Sequence, residues 1–136
     1  MIQNDFYKAV SLFLLLHAAF LVTAQNKTTV KASVDKNRIL IGEQIRLQLE
    51  ADIPENEAIR FFIIDTLSHF EILDKSVIDT TNTDNGTFLR QAILLTSFDT
   101  GHWMIPRLML GEKAATDSIP VDVAFSPMDT SQAYHA

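Results

Sequence analysis

Alternation of apolar and polar residues, broken at short intervals by turn-forming residues, constrains this chain more than any other feature. Val30, Ala32 and Val34 alternate with Lys31 and Ser33, and Ile45, Leu47, Leu49 and Ala51 alternate with Arg46, Gln48 and Glu50. Ile119, Val121, Val123 and Phe125 line one side of a run near the C-terminus. Successive side chains of a strand point to opposite faces, so each run predicts a strand with one dry and one wet face. Asp35-Lys36-Asn37, Asn85-Gly86, Asp99-Thr100-Gly101 and Gly111-Glu112-Lys113 punctuate the runs. Asn85-Gly86 predicts a type I′ hairpin turn, because both central residues of that turn need positive φ. It would join a strand near Ser76–Thr80 to a long strand over residues 88–98. Ala92–Leu95 is apolar on both faces, which places that strand centrally. Trp103, Ile105, Arg107 and Met109 alternate with Met104, Pro106, Leu108 and Leu110. Proline has no backbone donor, so Pro106 implies a bulge or an edge, and Pro120 the start of an edge strand.

Residues 59–64, Ile-Arg-Phe-Phe-Ile-Ile, are almost wholly apolar. They read as a central strand or as the buried turn of a short helix begun at Pro54. The strand is preferred, because β-branched and aromatic side chains fit a pleated surface. Phe70, Ile72 and Leu73 mark a short strand after it. The sum is an all-β chain, an immunoglobulin-like antiparallel β-sandwich of about seven or eight strands. Its expected core is Val34, Leu47, Leu49, Phe61, Ile63, Ile93, Leu95, Trp103, Ile105, Val121 and Val123.

The N-terminus follows a different grammar. Lys8 lies in a short polar start, residues 9–22 are an apolar run, and Val22-Thr23-Ala24 closes it with a small residue. These are the parts of a secretory signal peptide. The run is short for a membrane span, which needs ~20 apolar residues, and His17 interrupts it. The expected organisation is a signal peptide at 1–24, a sandwich domain at 25–126 and a polar tail at 127–136. Cysteine is absent, which excludes a disulfide framework, a zinc–thiolate site, a cysteine nucleophile and a lipidated N-terminus. The net charge of −6 argues against a nucleic-acid binder, which needs cations to displace phosphate counterions.

Chemistry-bearing residues are scattered. His69 and His102 lack the H-x-x-x-H or H-E-x-x-H spacing of a metal site, and His135 falls in the tail. Asp79, Asn82, Asp84 and Asn85 are rich in oxygen, yet they miss the EF-hand spacing and read as a solvated loop. Ser68 adjoins His69, but neighbours on a strand face opposite ways, and no G-x-S-x-G elbow occurs. Glu50, Asp52, Glu55 and Glu57 read as a solvated strand face and loop rather than as a carboxylate pair. Trp103 alternates in register with Ile105 and reads as a core anchor; standing exposed, it would suggest a sugar platform. No catalytic, cofactor-binding or metal-ligating residue is expected, and no cofactor or small-molecule substrate.

Three stretches resemble known exported proteins. Residues 34–50 run Val-Asp-Lys-Asn-Arg-Ile-Leu-Ile-Gly-Glu-Gln-Ile-Arg-Leu-Gln-Leu-Glu. This layout of strand, polar turn, hydrophobic-Gly-Glu and alternating strand resembles the first strands of BatD-type oxygen-tolerance proteins of Bacteroidota. Residues 65–73, Asp-Thr-Leu-Ser-His-Phe-Glu-Ile-Leu, and 97–106, Ser-Phe-Asp-Thr-Gly-His-Trp-Met-Ile-Pro, are similar to related exported proteins. The resemblance spans residues 30–125 and implies an extracytoplasmic immunoglobulin-like domain without catalytic residues. It implies placement in the periplasm or on the outer face of the inner membrane, and a link to aerotolerance or envelope-stress complexes. The family continues into a transmembrane helix. Here no second apolar stretch precedes Ala136, which reads as a truncated coding sequence or a soluble periplasmic relative. Asn26-Lys27-Thr28 and Asn85-Gly86-Thr87 match the N-glycosylation pattern, idle in a bacterium. The expected function is protein–protein contact with envelope proteins, membrane-bound ones among them, through a strand edge or a loop. The alternative is a carbohydrate-binding or adhesion module.

Overall fold

A computed structural model describes residues 26–127. The expected signal segment and residues 128–136 of the expected tail lie outside the described residues.

The described chain is all-β. Its strands are β1 (Thr29–Val34), β2 (Arg38–Leu40), β3 (Ile45–Pro54), β4 (Glu71–Lys75), β5 (Asp79–Thr83), β6 (Gly86–Thr96), β7 (Gly101–Ile105), β8 (Met109–Leu110), β9 (Ala114–Ala115) and β10 (Ile119–Ala124). One sheet runs β1-β3-β6-β4, with β5 also on β6. A second runs β2-β10-β7, and β8-β9 forms a small two-stranded sheet. The pairings are antiparallel except β2 with β10, which is parallel.

β3 and β6 form the spine, and both alternate as their sequences demand. Ile45, Leu47, Leu49, Ala51 and Ile53 of β3 are buried, opposite Leu95, Ile93, Gln91, Leu89 and Thr87 of β6. Ile39, Ile105, Val121 and Val123 join the same core from the second sheet. The two sheets therefore close on one apolar layer, a β-sandwich. Seven expected core residues are buried: Leu47, Leu49, Ile93, Leu95, Ile105, Val121 and Val123. Val34, Phe61 and Trp103 are only partly buried against it. Every buried side-chain polar atom among the described residues has a hydrogen-bond partner.

The wet faces carry charge in order. Lys31, Glu50, Arg90 and Asp79 are successive partners across β1, β3, β6 and β5, so signs alternate along the row. Arg38 faces Asp122 across β2 and β10, and His102 of β7 is the other neighbour of Asp122. Opposite charges facing each other across strands favour the native register over a slipped one.

Several expectations are corrected. Residues 59–64 form neither strand nor helix. Within them Phe62 and Ile64 are buried, while Ile63, expected in the core, is 88% exposed. The run is apolar on both parities, so sequence alternation could not decide which set faces inward. The hairpin at Asn85-Gly86 exists, but its two-residue loop is Asp84-Asn85, and Gly86 already pairs with Thr83. Neither loop residue has positive φ, so the turn is not type I′. Gly86 is required for another reason: a Cβ there would lie 2.1 Å from the Ile53 carbonyl oxygen. The strand expected near Ser76–Thr80 is β5, shifted to Asp79–Thr83. Pro120 does not open an edge strand, since β10 is the middle strand of its sheet. Only β7 flanks β10 at Pro120, because β2 reaches no further than Asp122, and the missing donor is tolerated there. Phe125 lies beyond β10 and is exposed. The strands outnumber the expected seven or eight partly because β7 and β10 continue as β8 and β9 after a break at Pro106.

Candidate functional site

The side of the sandwich between β4 and β7 is closed by a strap rather than by a strand. β3 ends at the buried Pro54, and a turn follows in which the Glu57 amide donates to the Pro54 carbonyl at 3.1 Å. Residues 58–64 then run without regular structure. Three contacts pin the strap. The Arg60 guanidinium lies against Gly111 in the β8–β9 turn. The Lys75 ammonium of β4 donates to the Ile64 carbonyl. His69 stacks on Trp103 of β7, ring centroids 3.5 Å apart and planes within 5°. With residue 60 beside residue 111 and residue 69 beside residue 103, the strap runs opposite to the arm formed by β7 and β8.

Phe62, Ile64 and Leu67 anchor the strap in the core. The Phe61 and Phe62 rings meet edge to face at 5.2 Å. Ile59 and Ile63 are left outside at 62% and 88% exposure, and Met104 on the outer face of β7 is 51% exposed. Among the described residues no backbone hydrogen bond joins residues 58–64 to a strand.

The lower end of the strap is a polar corner. His69 has φ +69°, the one positive φ outside glycine among the described residues. Such a backbone is strained for a side chain with a Cβ, and here hydrogen bonds to Ser97 and Asp99 hold it. The buried Ser97 hydroxyl donates to the His69 carbonyl at 2.5 Å and accepts from the Asp99 amide at 3.2 Å. His69 Nδ1 stands 3.3 Å from Asp99 Oδ2. The Trp103 indole N–H donates to the Asp99 carbonyl at 2.9 Å. Gly101 makes room for the ring, since a Cβ there would lie 2.7 Å from it.

The residues singled out in the sequence do not converge. His102 is on the outer face of β7, its Nδ1 2.5 Å from Asp122 Oδ1, whereas His69 is at the strap corner. Ser68 is exposed and has no partner among the described hydrogen bonds that would activate it. Asp79 pairs with Arg90 at 3.8 Å, while Asn82, Asp84 and Asn85 stay exposed at the hairpin end. Glu57 accepts from the Thr28 hydroxyl, and Glu50 from the Gln48 amide at 2.7 Å. Among the described residues no group of three or more His, Asp or Glu is placed to hold a metal ion, and no helix is long and apolar enough to cross a membrane. Sequence reading missed the strap's exposed face and the His69–Trp103 stack. The near-uniform apolarity of residues 59–64 was the available signal for the first; for the second, thirty-four residues of separation left none.

No family model matches this chain, and neither a curated protein nor a solved structure is detectably similar to it.

Proposed function

We propose that this domain is a non-enzymatic, exported β-sandwich that acts by protein–protein contact in the bacterial cell envelope, in the manner of the BatD-type proteins it resembles. We assign the sandwich to the immunoglobulin-like type. The order β1-β3-β6-β4 facing β2-β10-β7 supports that assignment: it matches A-B-E-D facing a split A strand with G and F, the strap standing where C would be.

The observation that carries the functional reading is the exposure of Ile59 and Ile63, two large apolar side chains of the strap, at 62% and 88%. Large apolar side chains left in water on a segment without a strand partner are candidate contact points for another protein. The carbohydrate alternative draws no support, because His69 covers a face of the Trp103 ring and Asp99 takes its donor.

The test is crosslinking of the purified domain to envelope extract, wild type against Ile63→Lys. Ile63 is nearly free of packing, so the substitution leaves stability within about 0.5 kcal/mol. A protein adduct formed by wild type and lost in Ile63→Lys is expected. Equal adducts from both, or retention on a glycan array in place of any protein adduct, refutes the reading.

A further inference from the structure

We propose that the strap is a strand acceptor: an extended segment of the partner protein, apolar at alternate positions and carrying a carboxylate at one end, lays its backbone along residues 59–63. This deepens the protein-contact reading above and rests on it.

Residues 59–63 are exposed on one side, and their amides and carbonyls make no ladder bond among the described residues. An added strand is the partner that satisfies a row of such groups at once. The neighbouring edge is built differently. β4 and β5 together form the far edge of the large sheet, and two irregularities spoil it. Leu73 is extra between the pairs Ile72–Leu95 and Asp74–Leu94. Val77 and Ile78 together oppose Gln91, since Ser76 bonds Ala92 and Asp79 pairs with Arg90. Asp74, Lys75 and Asp79 add charge there, beside the exposed Leu73, Val77 and Ile78. Bulges and charges are the usual means by which an edge refuses another strand. The strap has neither in its exposed stretch, except Arg60 at its start. Arg60 makes no ion pair among the described residues, in a chain of net charge −6. An unpaired guanidinium at the end of an apolar strip selects a carboxylate in whatever lies along it.

The experiment pans a displayed library of random dodecapeptides against the domain of residues 25–136, with Ile63→Lys and Arg60→Gln as counter-targets. Enriched peptides should alternate apolar and polar residues and carry an acidic end. Adding one should slow amide exchange at residues 59–63. N-methylating its central amides, which removes backbone donors and keeps side chains, should weaken binding at least about tenfold. Arg60→Gln should erase the acidic preference and leave the apolar alternation. Peptides that protect other residues, or affinity indifferent to N-methylation, overturn strand addition. So does a failure to enrich any peptide, or a concentration-dependent dimer that buries Ile63 in place of peptide binding. If an envelope adduct is still lost in Ile63→Lys while peptides fail, protein contact stands and the strand mode falls.

Discussion

Thr116 offers a measurable test of how the second sheet is held together. The long hairpin from β7 to β10 loses its ladder at Pro106, which has no amide to donate, and resumes at β8 and β9. Thr116 mends the gap. Its hydroxyl accepts from the Leu108 amide at 2.9 Å, and its own amide donates to the Leu108 carbonyl at 2.9 Å. Thr116 is 1% exposed, and Leu108 packs partly buried on the core. Thr116→Val keeps the shape and the main-chain bond but removes the acceptor, leaving the Leu108 amide unpaired in a half-dry position. That costs about 1–2 kcal/mol, the lower part of the range for an orphaned donor, because the bond is only partly buried. For a domain near a hundred residues this lowers the melting temperature by roughly 5–12 °C. Far-ultraviolet dichroism through a thermal ramp reads it, with urea midpoints as a second measure. Thr116→Ser, which keeps the hydroxyl and drops a methyl, should lose about 1 kcal/mol through the cavity alone. If Thr116→Val melts with wild type, the hydroxyl bond is not what closes the hairpin, and the reasoning fails.

Gly86→Ala should destabilise by about 1–3 kcal/mol or more, because its Cβ would stand 2.1 Å from the Ile53 carbonyl oxygen and 2.8 Å from Pro54 Cα, and backbone must move. Unchanged urea midpoints would contradict that close approach. Glu50→Lys would set three cations in a row between Lys31 and Arg90, at a cost of about 0.5–1 kcal/mol that should shrink in 0.5 M salt; a salt-independent loss would point to packing instead. His69→Ala should shift the emission of Trp103, the only tryptophan, to longer wavelength by uncovering a ring face, and an unmoved spectrum would mean that the stack does not persist in solution.

The readable parts of this chain were those where one physical rule acted alone. β3 and β10 alternate cleanly, and their inner residues are the buried ones. β6 was placed centrally by apolarity on both faces, and it lies between β3 and the β4–β5 edge. Misreading came where two rules conflicted. Asn85-Gly86 carries the signature of a type I′ turn, but the approach of β3 to within contact of Gly86 is a tertiary demand that the dipeptide pattern cannot express. Residues 59–64 have strand composition, yet the chain is held by side chains at Arg60, Ile64 and His69 rather than by a ladder. Those anchors come from residues 111, 75 and 103, too distant in sequence to be read from a local window.

The structure also gives physical reasons for the motifs on which the family resemblance rests. The Gly42-Glu43 pair forms the turn into β3: the Glu43 amide donates to the Leu40 carbonyl at 3.0 Å, and its carboxylate accepts from the Leu40 amide at 3.1 Å. In the stretch 97–106 Gly101 clears space for the Trp103 ring, Ile105 enters the core, and Pro106 stops the ladder. Each of these residues is required by a turn or a packing contact, whatever the domain binds. The motifs therefore argue for the fold more strongly than for a shared partner. Ile59 and Ile63 stand apart from these motifs. They are large and apolar and lie beside Phe62 and Ile64, which already anchor the strap; packing gives them no work where they stand. Under the proposed reading, a covering partner takes these two side chains out of water.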